Sequence, residues 1–312
     1  MAETFSFPKN RRIAKQLGAD LLSHETFACP GCTAELALRF SLKILGERTV
    51  VHTTSSCGTL MACGMGDERQ TECSASRGLM NDVSAIMSGA KRYYERVGKE
   101  ATVMAFLGDG ATADIGFQAL SGAAERGENL LHICYDNEGY MNTGIQRSGT
   151  TPQLSWTNTS PVGTASRGKR QRPKNMPLIM AFHGIPYVAT ASPAHLEDFA
   201  AKLKKAQLVK NGLSYIHLLI PCVTGWRAPS DMGIELARKA VQTNYFPLWE
   251  ADNGQFNFTV KPKKIRPINE FLEIAGRFKH MSSSEIDDFQ QYVNDRYRTI
   301  EYLTKAEFSF IV

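Results

Sequence analysis

The chain has 312 residues, 43% of them hydrophobic and 21% charged, with 36 basic and 31 acidic side chains for a net charge of +5. This excludes a chain that is mainly disordered, a membrane span of roughly 18 apolar residues, and the strong basic bias of a nucleic-acid binder. At about 150 residues per domain the length suggests two domains or one large decorated α/β domain.

Residues 1–12 are polar and do not read as a secretory signal. A polar lead-in ends at the turn Cys29-Pro30-Gly31-Cys32. A helix is predicted over 34–45, with Thr33 as its cap, Leu36, Phe40 and Ile44 on one face, and Gly46 as its stop. The β-branched stretch 49–53 reads as a buried strand, with Cys57 just past its end. A Gly- and Ser-rich loop continues to Arg77, then a helix over 79–97. Strand 102–107, a helical stretch over 115–126 ending at Gly127, and strand 130–135 form a βαβ unit of a parallel sheet. The polar stretch 144–177 has no period and reads as a functional loop or lid. Strands 187–190 and 215–220 fit the same sheet, with a helix between them capped at Ser192, opened by Pro193 and running to about Lys210.

After Thr243 the pattern changes. Residues 255–260 alternate like an edge strand, 268–278 and 285–304 read as amphipathic helices, and Ser282 with Glu285 forms a capping box. The expectation is an α/β domain over 1–243, a doubly wound, mostly parallel sheet, and a C-terminal extension over 244–312 that packs on the core or on a partner subunit.

Asp109 sits between Gly108 and Gly110 just past one strand, and Asn137 sits just past the next. In a parallel sheet both overhang the C-terminal edge, where open α/β sheets bind ligands. Glycines let backbone amides approach a phosphate, and the helix that follows favours its charge. A carboxylate and an amide oxygen suit Mg²⁺, which takes few protein ligands and keeps phosphate oxygens. Alone, Gly-Asp-Gly is a tight turn; paired with Asp136-Asn137 it points to a magnesium-bridged diphosphate. A Rossmann site fits less well, since Gly108-Asp109-Gly110-Ala111-Thr112-Ala113 lacks the third glycine.

Cys29 and Cys32 form a C-x-x-C turn, Cys57 follows a strand, and Cys222 follows the last core strand in Pro221-Cys222-Val223-Thr224-Gly225-Trp226. With seven cysteines, an odd count, and no export signal, a disulfide framework is not expected. A reduced cytoplasmic setting turns such thiols toward metal or redox chemistry. Four thiolates suit Zn²⁺ or a [4Fe–4S] cluster equally. Cys134 reads as a core residue, and Cys63 and Cys73 have no assigned role.

The run Gly108-Asp109-Gly110-Ala111-Thr112-Ala113-Asp114-Ile115-Gly116, followed by Tyr135-Asp136-Asn137-Glu138-Gly139-Tyr140-Met141-Asn142-Thr143-Gly144, resembles the thiamine diphosphate signature. Over nearly the whole chain the sequence is similar to the β subunit of 2-oxoacid:ferredoxin oxidoreductases. The resemblance implies that Asp109, Asn137 and the Gly139 carbonyl bind Mg²⁺. It places Gly108, Gly110, Ala111 and Thr143 beside thiamine diphosphate, and Asn142 close to the reacting carbon as the catalytic residue. It makes Cys29, Cys32, Cys57 and Cys222 ligands of a [4Fe–4S] cluster.

The implied activity is oxidative decarboxylation of a small 2-oxoacid such as pyruvate, with electrons passed to ferredoxin. Implied partners are a pyrimidine-binding alpha (and gamma) subunit in a hetero-oligomer and a ferredoxin-like delta subunit or domain. The stretch from Gly58 to Ser76 lacks the aromatics and prolines of pyruvate-type relatives, which brings oxalate in as a candidate substrate.

Two other readings remain. A non-redox thiamine-dependent decarboxylase or synthase subunit leaves the four cysteines unexplained. A zinc-stabilised scaffold leaves Asp109 and Asn137 unexplained. The basic runs Arg167, Lys169, Arg170, Arg172, Lys174 and Lys261, Lys263, Lys264, Arg266 read as solvated faces, with docking of an acidic carrier or a coenzyme A phosphate as the functional alternative. His52, His132 and His183 sit in apolar surroundings and read as packed.

Overall fold

The structure, a computed structural model, describes residues 17–65 and 70–306. The polar start read over 1–12, and Asp67 and Glu68 of the loop after Cys57, lie outside the described residues.

The first elements are α1 (Thr33–Leu45), β1 (Thr49–Thr54), α2 (Cys57–Ala62), β2 (Ser74–Gly78), α3 (Val83–Arg96) and β3 (Thr102–Gly108). A π-helical turn (Gly110–Ile115) leads into α4 (Phe117–Glu125) and β4 (Leu131–Asp136). Then come α5 (Met176–Ala181), β5 (Tyr187–Ala191), α6 (Leu196–Leu208), β6 (Ser214–Leu219) and α7 (Gly233–Gln242). The chain closes with β7 (Leu248–Asp252), β8 (Gln255–Val260), α8 (Asn269–Leu272), a 3₁₀ turn (Gly276–Phe278) and α9 (Ser283–Leu303).

Among the described residues eight strands make one sheet in the order β2-β1-β3-β4-β6-β5-β7-β8. Strands β1 to β6 run parallel, and β7 and β8 add an antiparallel edge. Side chains alternate across β3 as a pleated strand requires. Met104 and Phe106 pack toward α1 and α6, while Val103, Ala105 and Leu107 pack toward α3 and α4. Helices therefore cover both faces, as the doubly wound reading expects. The described residues contain no helix long and apolar enough to cross a membrane.

Several local expectations are corrected. The loop expected up to Arg77 contains α2 and β2; the polar sequence of β2 fits an edge position, largely exposed beside β1. Thr33 lies inside α1 and does not cap it; its hydroxyl donates to the Pro221 carbonyl at 3.0 Å. Ser192 and Pro193 form a turn closed by the His195 N–H on the Ser192 carbonyl, and α6 begins at Leu196. Helix α7 and strand β7 were not expected. The helix expected over 268–278 is split into α8 and the 3₁₀ turn, where the Arg277 N–H leaves the helical pattern and donates to the Trp226 carbonyl. The Ser282–Glu285 capping box is present, and β8 is an edge strand paired to β7.

Candidate functional site

The connection out of β1 runs to β2 at one edge and returns to β3 on the other side of β1, so the strand order reverses between β1 and β3. Open α/β sheets bind ligands at such a reversal, outside the carboxyl ends of the strands. A cavity lies there, walled by the segments after β1, β3 and β4. Gly108, Gly110 and Ala111 line it from one loop, and Asn137, Gly139, Asn142 and Thr143 from the next. Asp109 is fully buried beside it. Gly110 has a further reason to be glycine: a Cβ there would meet the Tyr140 ring at 2.3 Å.

Asn137 turns its amide toward Asp109 Oδ1 and the Gly139 carbonyl. With its nitrogen inward it donates to them at 3.0 and 2.8 Å. With its oxygen inward, three oxygens crowd one point, which is stable with a cation between them. Adjacent oxygens of an octahedral Mg²⁺ held at about 2.1 Å lie about 3 Å apart. The donor set and its spacing therefore fit the ion.

The surroundings fix this geometry. The Thr150 hydroxyl lies 2.8 Å from Asp109 Oδ2 and 2.9 Å from Asp136 Oδ1, and its single proton serves both. Asp136 Oδ2 meets His217 Nε2 at 2.9 Å, and His217 Nδ1 meets the Tyr215 hydroxyl at 2.8 Å. Burial, then the neighbouring Asp136 charge, hold the Asp109 carboxyl well above the usual carboxylate range. A divalent cation would offset both effects.

The four cysteines line a second cavity together with Asn137 and Asn142. Burial pushes the Cys32 and Cys57 thiols up, and that of Cys222 up to about 11. The Gly225 N–H donates to Cys222 Sγ at 3.3 Å, and Asn142 favours the thiolate of Cys57 by a hydrogen bond. Among the described residues no three His, Cys, Asp or Glu side chains gather closely enough to hold a single metal ion. A four-iron cluster spreads its thiolate ligands over a larger volume, and an all-thiol donor set suits it. Cys63 and Cys73 do not line this cavity, and Cys134 is buried within β4.

Arg167 pairs with Glu285 at 2.5 Å, Lys174 pairs with Asp114 at 2.9 Å, and Arg172 lies 5.0 Å from the Tyr292 ring. Lys169 is buried, donates to the Gly149 and Thr151 carbonyls, and is brought down to about 8, first by burial. Arg167, Arg170, Arg172 and Lys174 are exposed, so the run is a solvated face as expected, except for the buried Lys169. His52 and His132 are buried, and burial brings His132 down to about 3; His183 bonds Ser121 at 3.0 Å. Sequence reasoning missed Thr150, His217, Trp226, Tyr245 and Arg277, which reach the site from distant segments and carry no spacing signal.

Residues 53–218 match the thiamine pyrophosphate enzyme family, C-terminal TPP binding domain. The chain is 42% identical over 275 residues to pyruvate synthase subunit PorB of Methanocaldococcus jannaschii, covering 86% of this chain and 92% of that relative. Ketoisovalerate oxidoreductase subunit VorB of Pyrococcus furiosus is 43% identical over 287 residues, 89% of this chain and 92% of its own. NADH-dependent phenylglyoxylate dehydrogenase subunit beta of Aromatoleum evansii is 43% identical over 92% of this chain, which spans 65% of that longer relative. Among solved structures, 2-oxoglutarate:ferredoxin oxidoreductase from Magnetococcus marinus aligns with a TM-score of 0.56 at 19% identity, over 93% of this chain and 99% of that one. That likeness supports the fold.

Proposed function

The chain belongs to the beta subunits of the 2-oxoacid:ferredoxin oxidoreductases, within the thiamine pyrophosphate enzymes, and from that premise we propose that it holds thiamine diphosphate through Mg²⁺ and a [4Fe–4S] cluster through Cys29, Cys32, Cys57 and Cys222. The observation that carries this reading is a shared wall: Cys57, Asn137 and Asn142 line both the cavity at the sheet edge and the cavity of the four cysteines. A redox enzyme of this kind needs its organic cofactor beside its electron acceptor.

When bound, thiamine diphosphate supplies carbanion stabilisation and the cluster supplies one-electron transfer. Asp109, Asn137 and the Gly139 carbonyl would hold the ion. The backbone from Gly108 to Ala111 would face the diphosphate, with Thr143 on the opposite wall. Asn142, between the two cavities, would orient the substrate. Ferredoxin or a ferredoxin-like subunit would take the electrons, and a pyrimidine-binding subunit would complete the site.

The cavity wall includes Met80, Ala111 and Met141, and none of its described lining residues is Lys, Arg or His. A second carboxylate, as in oxalate, would be desolvated there without a cation from this chain. The described residues of the 58–76 stretch do not line this cavity, though Leu60 and Met61 line the adjoining one. A monocarboxylic 2-oxoacid such as pyruvate or 2-oxoisovalerate fits better. Anaerobic purification of the complex tests the reading: thiamine diphosphate, magnesium and four irons per chain, with a reducible brown chromophore, support it. A colourless, iron-free complex that still decarboxylates would favour the non-redox alternative.

A further inference from the structure

Glu138 stands between the two groups assigned to the ion, Asn137 and Gly139. Its φ is 63°, in the left-handed region that non-glycine residues rarely occupy. This backward turn brings the Asn137 amide to 2.8 Å from the Gly139 carbonyl. Every polar group of Glu138 is engaged in keeping it. Its N–H donates to Asp136 Oδ1 at 2.8 Å, and its carbonyl accepts from the Thr151 hydroxyl at 2.7 Å. Its buried carboxylate accepts from the Tyr245 hydroxyl at 2.5 Å and from Arg277 Nη2.

Arg277 comes from a segment 139 residues away, and its side chain is 1% exposed. It does not line the cofactor cavity. Its guanidinium carbon lies 3.9 Å from the centre of the Trp226 ring, and Trp226 Nε1 donates to the Asn137 carbonyl at 2.8 Å. The guanidinium thus reaches the turn twice, through the Glu138 carboxylate and through the indole on Asn137. The neighbouring glycine permits this approach, because a Cβ on Gly276 would meet the Arg227 carbonyl oxygen at 2.4 Å. Arg277 Nε is buried with no acceptor, while Nη2 donates to the Glu138 carboxylate.

We propose that Arg277 is a positioning residue for the cation-binding turn, fixing through Glu138 and Trp226 the backbone that presents Asn137 and the Gly139 carbonyl to the ion. This rests on the thiamine diphosphate reading above. Asn137 and Gly139 would touch the ion, whereas Arg277 acts through their neighbours.

The test strips the complex of cation and cofactor with a chelator, then titrates Mn²⁺ in the presence of thiamine diphosphate and reads bound Mn²⁺ by electron paramagnetic resonance. Residues that orient metal ligands typically change affinity by about tenfold to a hundredfold. Arg277→Met and Glu138→Gln should raise the Mn²⁺ half-saturation in that range, with iron content unchanged. Arg277→Lys should recover part of the affinity. Should Arg277→Met fail to fold, Glu138→Gln decides, since it keeps the side-chain volume and an acceptor for Tyr245. Wild-type Mn²⁺ binding by folded Glu138→Gln, or a loss of thermal stability with no change in half-saturation, overturns the proposal. A wild-type complex that binds no Mn²⁺ with thiamine diphosphate overturns the underlying reading instead.

Discussion

The Thr33 hydroxyl donates to the Pro221 carbonyl at 3.0 Å, across 188 residues of chain. Thr33 follows Cys32 at the start of α1, and Pro221 precedes Cys222 just after β6. This bond joins the two segments that bring their thiols to one cavity. Gly31 completes the approach: a Cβ there would fall within 1.8 Å of the Ser230 carbonyl oxygen.

The first prediction separates the four thiols from two of the other three. Serine at Cys29, Cys32, Cys57 or Cys222 should each lower iron content, because a thiolate ligand is lost. Serine at Cys63, which packs near Thr53, and alanine at Cys134 should leave it unchanged. Thr33→Val should cost about 1–3 kcal/mol by leaving a buried carbonyl unpaired, and should lower iron occupancy with every cysteine intact. Iron assay and thermal unfolding check both; equal iron loss at all six cysteines would defeat the ligand assignment.

The second prediction concerns Asp109. Burial and the Asp136 charge both disfavour its ionised form, so the cation-free protein carries a destabilising group at its own site. Asp109→Asn keeps an acceptor for Thr150 and removes the charge. The variant should melt several degrees higher than the cation-free wild type and should lose all stabilisation by Mg²⁺ with thiamine diphosphate. A variant that still retained the cofactor after gel filtration would contradict the assignment.

The parallel sheet and the Asp109–Asn137 pair were legible because βαβ units carry strong local signals: short apolar strands, tight turns and glycines at fixed places. The polar β2 was not legible, because an edge strand exposes residues that read as loop. Helix α6 starts later than Ser192-Pro193 suggests, because the turn from β5 uses those residues first. The turn around Glu138 illustrates the larger gap. Its motif is visible in the sequence, but the residues that hold it, Thr151, Trp226, Tyr245 and Arg277, come from later segments that only the folded chain brings together.

The third prediction concerns acid. His132 is buried against Thr112 and Tyr215, and burial followed by the His217 charge brings it from 6.5 to about 3. Below 6.5 the unfolded chain takes up a proton that the folded chain refuses. Stability therefore falls as pH drops from 6.5 toward 3, by about 1.4 kcal/mol per pH unit from this residue. His132→Gln preserves a partner for Thr112 and removes that slope. Denaturant unfolding at pH 7 and pH 4.5 measures it; an unchanged difference between the two would rule His132 out as a source of acid lability.

The last prediction is that this chain does not turn over alone. A thiamine site has two halves, one for the diphosphate and one for the aminopyrimidine with its activating glutamate. The described residues form one sheet, and the cofactor cavity lies at one end of it, between the loops after β1, β3 and β4. The buried carboxylates beside it are engaged: Asp109 faces Asn137 and Thr150, Asp136 His217 and Glu138 Arg277. None of these three is free to activate the cofactor, so the expectation is that the glutamate arrives on another polypeptide. The isolated chain, reconstituted anaerobically with iron and sulfide, should take up its cluster and bind thiamine diphosphate with Mg²⁺ more weakly than the complex. It should show no sustained oxidation of pyruvate with a viologen dye. Adding the pyrimidine-binding subunit should restore turnover. Sustained turnover by the isolated chain would show that a carboxylate of its own activates the cofactor.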